Sequence, residues 1–178
     1  FIKSEWEGID YVGIRRGIEI PSLNTIGRKY SGVKFENDAE TPLYWMNAAE
    51  VAFLKAEAKA VFGMNMGPGT AKDFYEEGVR LSFEQWGVSG YESYIAQSSA
   101  PQIVYIDPNN GKDTYSNTLS TTSVAWKTGT PEEMQERIII QKWIANWLLG
   151  NESWADYRRT GYPRLFPVVV NNLSLIHI

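Results

Sequence analysis

Apolar residues between positions 43 and 62 fall in two stripes rather than one. Trp45, Ala49, Ala52, Phe53, Ala56 and Ala60 form the first, and Val51, Leu54, Ala58 and Val61 the second. Recurrence at three- and four-residue spacing predicts an α-helix, and a helix apolar on two sides is sandwiched between neighbours. Thr41 and Pro42 suit a cap and a first helical position, and Gly63 suits a stop. After the loop at 64–69, Thr70 caps a second predicted helix to about Trp86, with Phe74, Val79, Leu81, Phe83 and Trp86 inward. Two helices joined by a short Gly/Pro loop predict an antiparallel hairpin. A short helix is expected around 91–97. Thr130-Pro131-Glu132-Glu133 then carries the capping-box pattern with Pro in the first turn. That helix is expected to reach about Leu149, with Met134, Ile138, Ile140, Trp143, Ile144, Trp147 and Leu148 inward, and to end at Gly150. Asn151 is placed to cap one more helix through Tyr157.

The other segments lack helical period. Residues 1–41 carry Gly8, Gly13, Gly17, Gly27 and Gly32 and predict short strands or extended loops. Residues 103–106 predict a buried strand, closed by a turn at 107–111. Residues 112–129, rich in Ser, Thr and Asn, predict a surface loop, and 158–172 an extended, proline-interrupted tail. The pattern is mainly α with irregular insertions.

Composition narrows the chemistry. The 178 residues suffice for one domain of ordinary size. Net charge is -4, which argues against a nucleic-acid partner that would need a basic face. No apolar run approaches the roughly 20 residues that cross a bilayer. There is no cysteine, and the only histidine is His177. Thiolate catalysis, cysteine metal sites and a serine–histidine pair on the body of the chain are thereby excluded, and neither metal nor cofactor is expected. Acidic residues remain. Glu50 and Glu57 lie seven apart, on one helix face with Asn47, which puts their backbones roughly 10 Å apart. Glycosidase pairs want carboxyl groups about 5–9.5 Å apart, so a structural role is the stronger reading. Glu57 is expected to pair with Arg158 or Arg159, whose planar guanidinium matches a carboxylate. Asp107, Asn109 and Asp113 mimic a calcium loop, but Gly111 stands at the fifth position and Thr118 at the twelfth, so a plain turn is expected.

Aromatic residues are abundant: seven Trp, ten Tyr and seven Phe. Flat rings stack on sugar faces and carry polar edges, so a binding platform is possible chemistry. Trp143 and Trp147 are expected in the core, and Trp45 and Trp86 in or beside apolar stripes. Trp6, Tyr11, Tyr91 and Trp126 stand in poorly periodic segments and are the candidate ligand-binding residues.

Two stretches carry a specific resemblance. Residues 42–58, Pro-Leu-Tyr-Trp-Met-Asn-Ala-Ala-Glu-Val-Ala-Phe-Leu-Lys-Ala-Glu-Ala, resemble a helix of the SusD/RagB family, and Gln141-Lys142-Trp143 with Arg158-Arg159-Thr160-Gly161-Tyr162-Pro163 resembles its C-terminal signature. The resemblance implies an all-α fold of tetratricopeptide-like helix pairs, a SusD-like α-α superhelix with loop insertions. It implies no enzymatic activity. It further implies an outer-membrane lipoprotein, surface-exposed and held by an N-terminal lipid anchor. Such a protein captures a glycan or other nutrient as the lid of a SusC-like TonB-dependent transporter. The rival readings are a tetratricopeptide-type scaffold binding another protein and, distantly, a glycan hydrolase. Residues 1–172 are expected to be the C-terminal part of a single SusD-like domain, so absent neighbours should leave apolar surface open on the helix at 43–62. Residues 173–178, Leu-Ser-Leu-Ile-His-Ile, translate the codons CTG TCT CTT ATA CAC ATC of a sequencing-library transposon end, and are expected to be adapter-derived. A native apolar strand is the alternative.

Overall fold

The computed structural model describes residues 1–33, 44–101, 104–109 and 111–169. The predicted cap at Thr41 and Pro42 and the tail at 173–178 lie outside them. The chain divides into two compact units, one comprising Leu43–Gln102 and Ser120–Arg164, the other Phe1–Pro42, Ile103–Leu119 and Leu165–Ile178.

The first unit holds all five α-helices of the described residues: α1 (Ala48–Ala60), α2 (Ala71–Gln85), α3 (Tyr91–Ile95), α4 (Pro131–Ala145) and α5 (Gly150–Thr160). Two of them start at complete capping boxes. Thr70 Oγ1 accepts from the Asp73 N–H at 3.1 Å while Asp73 accepts from the Thr70 N–H at 2.7 Å, and Thr130 and Glu133 repeat this at 3.2 and 2.7 Å. The reciprocal bonds satisfy N–H groups that a helix start otherwise leaves orphaned. α1 packs against α2 and α4, α3 against α2, and α5 against α4. The core between them is Ala49, Phe53, Ala56, Tyr75, Val79, Ile138 and Ala145. Gly78 sets the α1–α2 approach: a Cβ there would sit 2.8 Å from the Phe53 ring, so only glycine lets the ring lie flat against the α2 backbone. Tyr75 is fully buried, and its hydroxyl donates to the Val124 carbonyl at 2.6 Å.

The helix boundaries differ from the sequence expectation at the start of α1, at the α4–α5 junction and at the end of α5. α1 begins at Ala48, so Trp45 precedes it and is 85% exposed rather than packed in a stripe. Gly150 starts α5 instead of merely ending α4. The reversal comes earlier, where the Leu149 N–H donates to the Asn146 carbonyl at 2.8 Å and Leu148 adopts φ +73°. Trp147 and Leu148 consequently lie exposed rather than inward, and Ile144, on the last turn of α4, is exposed as well. α5 runs on to Thr160, where Gly161 closes it at φ +77°. The predicted surface loop is also partly interior: Ser120, Ser123 and Val124 are buried. Ser120 Oγ donates to Glu136 at 2.8 Å, and Arg137 donates to the Ser123 and Lys127 carbonyls.

The second unit is irregular. It has one turn of 3-10 helix at Gly27–Lys29 and two isolated bridges, Ile2 to Gly32 and Tyr105 to Tyr115, and no strand among the described residues. Of the expected buried strand at 103–106, Ile103 lies outside the described residues, and 104–106 form a single bridge at Tyr105 with Ile106 exposed. Its interior is held by polar groups. Buried Arg15 donates to the Asp113 carbonyl at 2.6 Å and the Pro167 carbonyl at 2.9 Å, and lies over the Tyr115 ring. Tyr30 donates to Asp107 at 2.9 Å, and burial, reinforced by that carboxylate, raises its pKa.

Candidate functional site

A polar stripe crosses the helical unit where α1, α4 and α5 meet. Glu50 and Glu57 stand two turns apart on α1 and both are buried. Gln135 and Lys142, also seven apart, face them from α4, with Asn146 one turn further on. Asp156 and Arg159 come from adjacent turns of α5. Lys142 Nζ lies 3.2 Å from Glu50 Oε1 and 2.8 Å from Asp156 Oδ2. Arg159 forks onto Glu57 at 2.6 and 2.8 Å and reaches Asp156 Oδ1 at 2.9 Å. Gln135 donates to Glu57 at 2.8 Å and Asn146 to Glu50 at 3.2 Å. The hydrogen bond to Glu57 raises the Arg159 pKa above its already high value, with Asp156 adding to it, so this cation stays charged. Arg158 is exposed and makes none of the bonds of this array.

This arrangement determines what the acidic residues can do. Each carboxylate is engaged by a cation, and Glu50 and Glu57 also accept from neutral amides. Neither is left as a free acid or base, and the two are fastened to different partners instead of converging on a shared cleft. The chemistry is cross-helix fastening. Beside it opens a groove of about 560 Å³, walled by Val51, Leu54 and Phe62 of the α1 segment and by Met64 and Met66, with the ion pairs along its other side.

The aromatic candidates divide. In the second unit Tyr11 is 58% exposed, with Lys3 Nζ 5.9 Å from its ring centre. Trp6 is half-buried, edge-on to Tyr30 at 5.9 Å and beneath Lys29 at 4.9 Å, and its indole N–H is buried with no hydrogen-bond partner among the described residues. In the helical unit the other two candidates, Tyr91 and Trp126, are half-buried. Both pack against the core, Tyr91 edge-on to Phe83 and Trp126 tilted on Tyr75 at 5.2 Å. Among the described residues no cluster of His, Cys, Asp or Glu is built to hold a metal ion.

Sequence reasoning passed over Lys142, Asp156, Gln135 and Asn146. The one signal in the sequence was that Gln135 and Lys142 of α4 repeat the seven-residue interval of Glu50 and Glu57.

Comparison with known proteins bears on the whole chain. A family model described as SusD-like, Susd and RagB outer membrane lipoprotein, matches residues 1–175. A solved SusD homologue from Bacteroides uniformis is 56% identical with a TM-score of 0.85, over 94% of this chain and 34% of its own. Another, from Bacteroides thetaiotaomicron, is 46% identical with a TM-score of 0.81, over 92% and 34%. A chitin-binding SusD homologue from Flavobacterium johnsoniae is 41% identical with a TM-score of 0.79, over 95% and 35%. This chain therefore spans about a third of the length of these solved relatives. A search of curated proteins returned no match.

Proposed function

The chain belongs to the SusD/RagB family of outer-membrane lipoproteins, and on that premise we propose that it is part of a nutrient-capture protein, non-enzymatic and surface-exposed, that binds a glycan and delivers it to a SusC-like TonB-dependent transporter. One observation carries the glycan: a homologue 41% identical over 95% of this chain binds chitin. Chito-oligosaccharides are accordingly the first ligand to try. Of the four candidate rings Tyr11 is the most exposed and so the most accessible to a sugar face, with half-buried Trp6 in the same unit. The charge network supports a capture role indirectly. Carboxylates tied to Lys142 and Arg159 stiffen a scaffold and are not available for hydrolysis.

The transporter partnership is tested at the source DNA by recovering the complete reading frame and its neighbours. A lipoprotein signal upstream and an adjacent TonB-dependent transporter gene are the expected finding. A complete frame with neither contradicts the proposal and brings the tetratricopeptide-type scaffold reading to the front.

A further inference from the structure

α5 turns Ser153 and Asp156 into the helical unit and leaves Asn151, Trp154, Ala155 and Arg158 exposed. Offsets of three, four and seven residues put these four on one stripe of the helix. Trp154 is 53% exposed, and Tyr157 stacks on it at 5.5 Å and 20°. The stack holds one face of the indole and presents the other in a set orientation. Little side-chain freedom is then lost when a flat ligand settles on the open face.

The neighbours of the ring narrow the ligand. The guanidinium of Arg158, one turn beyond Trp154, makes no ion pair or hydrogen bond among the described residues. Arg80 of α2, by contrast, is held by Glu77 and Glu84. The Asn151 amide stands one turn before the ring, and Ala155 beside it is too small to block approach. Glu152, the one exposed carboxylate of α5, lies about 160° round the helix from Trp154 and lines the groove. A helix docking on this stripe would meet an amide, a methyl and a guanidinium around a single ring, not an apolar row. A sugar is the better complement, since a pyranose offers an apolar C–H face to the indole and hydroxyls to the amide. The unpaired cation selects among sugars. A ring that carries a carboxylate gains a two-pronged, charge-assisted pair with Arg158 that a neutral sugar cannot make.

We propose that Trp154, Asn151 and Arg158 form a contact site for a carboxylate-bearing sugar, with the pyranose stacked on the open face of Trp154 and its carboxylate paired with Arg158. The proposal rests on the glycan-capture reading and adds an acidic component to it, at residues separate from Tyr11.

Trigalacturonic acid and its fully methyl-esterified form share a chain length and differ in carboxylate charge, so the pair isolates the role of Arg158. Both are titrated by calorimetry into the purified chain, with folding checked by a cooperative melt. The titrations are repeated with the chain grafted in place of its matched span in the Bacteroides uniformis homologue. The expected result in both proteins is saturable binding of the acid, about tenfold tighter than of the ester. Arg158→Met should abolish that preference, and Trp154→Ala should weaken acid and ester alike by about tenfold. Tyr11→Ala should change neither. Equal affinity for acid and ester overturns the proposal, as does an Arg158→Met chain that binds as the wild type does; where Trp154→Ala does not fold, that arginine variant decides. Binding lost in the folded graft also overturns it, because the rest of the fold then covers the stripe. Acid binding that falls with Tyr11→Ala and not with Trp154→Ala overturns it and leaves glycan capture standing. No binding of either galacturonate overturns it too; glycan capture then stands if chito-oligosaccharides bind and falls if they do not.

Discussion

Replacing Lys142 by Met tests whether the three helices are fastened by charge. The substitution keeps an unbranched stem of similar length and removes only the cation. Lys142, Glu50 and Asp156 side chains are all at least nine-tenths buried, so water cannot replace the ammonium. Asp156 keeps Arg159 at 2.9 Å, whereas Glu50 keeps only the neutral Asn146 amide at 3.2 Å. Removing one partner of a buried pair costs about 3–5 kcal/mol, and the retained Arg159 contact puts this case near the lower end. With a urea slope of about 2 kcal/mol/M, a loss of about 3 kcal/mol lowers the unfolding midpoint by about 1.5 M. Circular dichroism at the helical band reads that midpoint. Adding Glu50→Gln removes the stranded carboxylate and should recover more than about 1 kcal/mol, a non-additivity expected of residues in one network. A midpoint shift below about 0.3 M, or simple additivity in the double variant, would refute the reasoning.

The two neighbouring arginines give a sharp contrast. Arg159→Met should cost about 1–2 kcal/mol, less than Lys142 because solvent screens its exposed side, while Arg158→Met should stay within about 0.5 kcal/mol in the same urea titration. The capping boxes predict an acid limb. Backbone hydrogen bonds from Thr70 and Thr130 hold the Asp73 and Glu133 carboxyls below the usual carboxylate range. Groups lower in the folded than in the unfolded state contribute stability that is present above the unfolded pKa and lost as pH falls through the folded one. The Asp73→Asn, Glu133→Gln double variant should therefore show a flatter Tm profile below about pH 5 than the wild type, and parallel profiles would contradict this assignment.

Much of the helical unit was legible because its signals are local. Thr70 and Thr130 announce helix starts through reciprocal bonds three residues long, and those starts are where the structure places them. The inner stripe of α1, from Ala49 through Phe53 to Ala56, is buried as its spacing requires. What failed was non-local. Gly150 carries the same glycine signal whether it ends one helix or begins the next, and only the reversal at Asn146–Leu149 decides between them. Tyr91 and Trp126 stand in weakly periodic sequence, yet they pack against the core on Phe83 and Tyr75. The charge network was half visible, since Glu57 asked for a basic partner, but nothing local to α4 marked Lys142, whose partners Glu50 and Asp156 come from α1 and α5. The irregular unit was least legible, being organised by single long-range bonds such as Arg15 to the Pro167 carbonyl.

Glycan capture is tested most directly by titrating chito-oligosaccharides into the purified chain and following its tryptophan fluorescence, beside a Tyr11→Ala variant. The account predicts a saturable change in the wild type and affinity weakened about tenfold in the variant, the equivalent of about 1.4 kcal/mol from one stacked ring. A chain that melts cooperatively yet shows no response to these or any other oligosaccharide contradicts it.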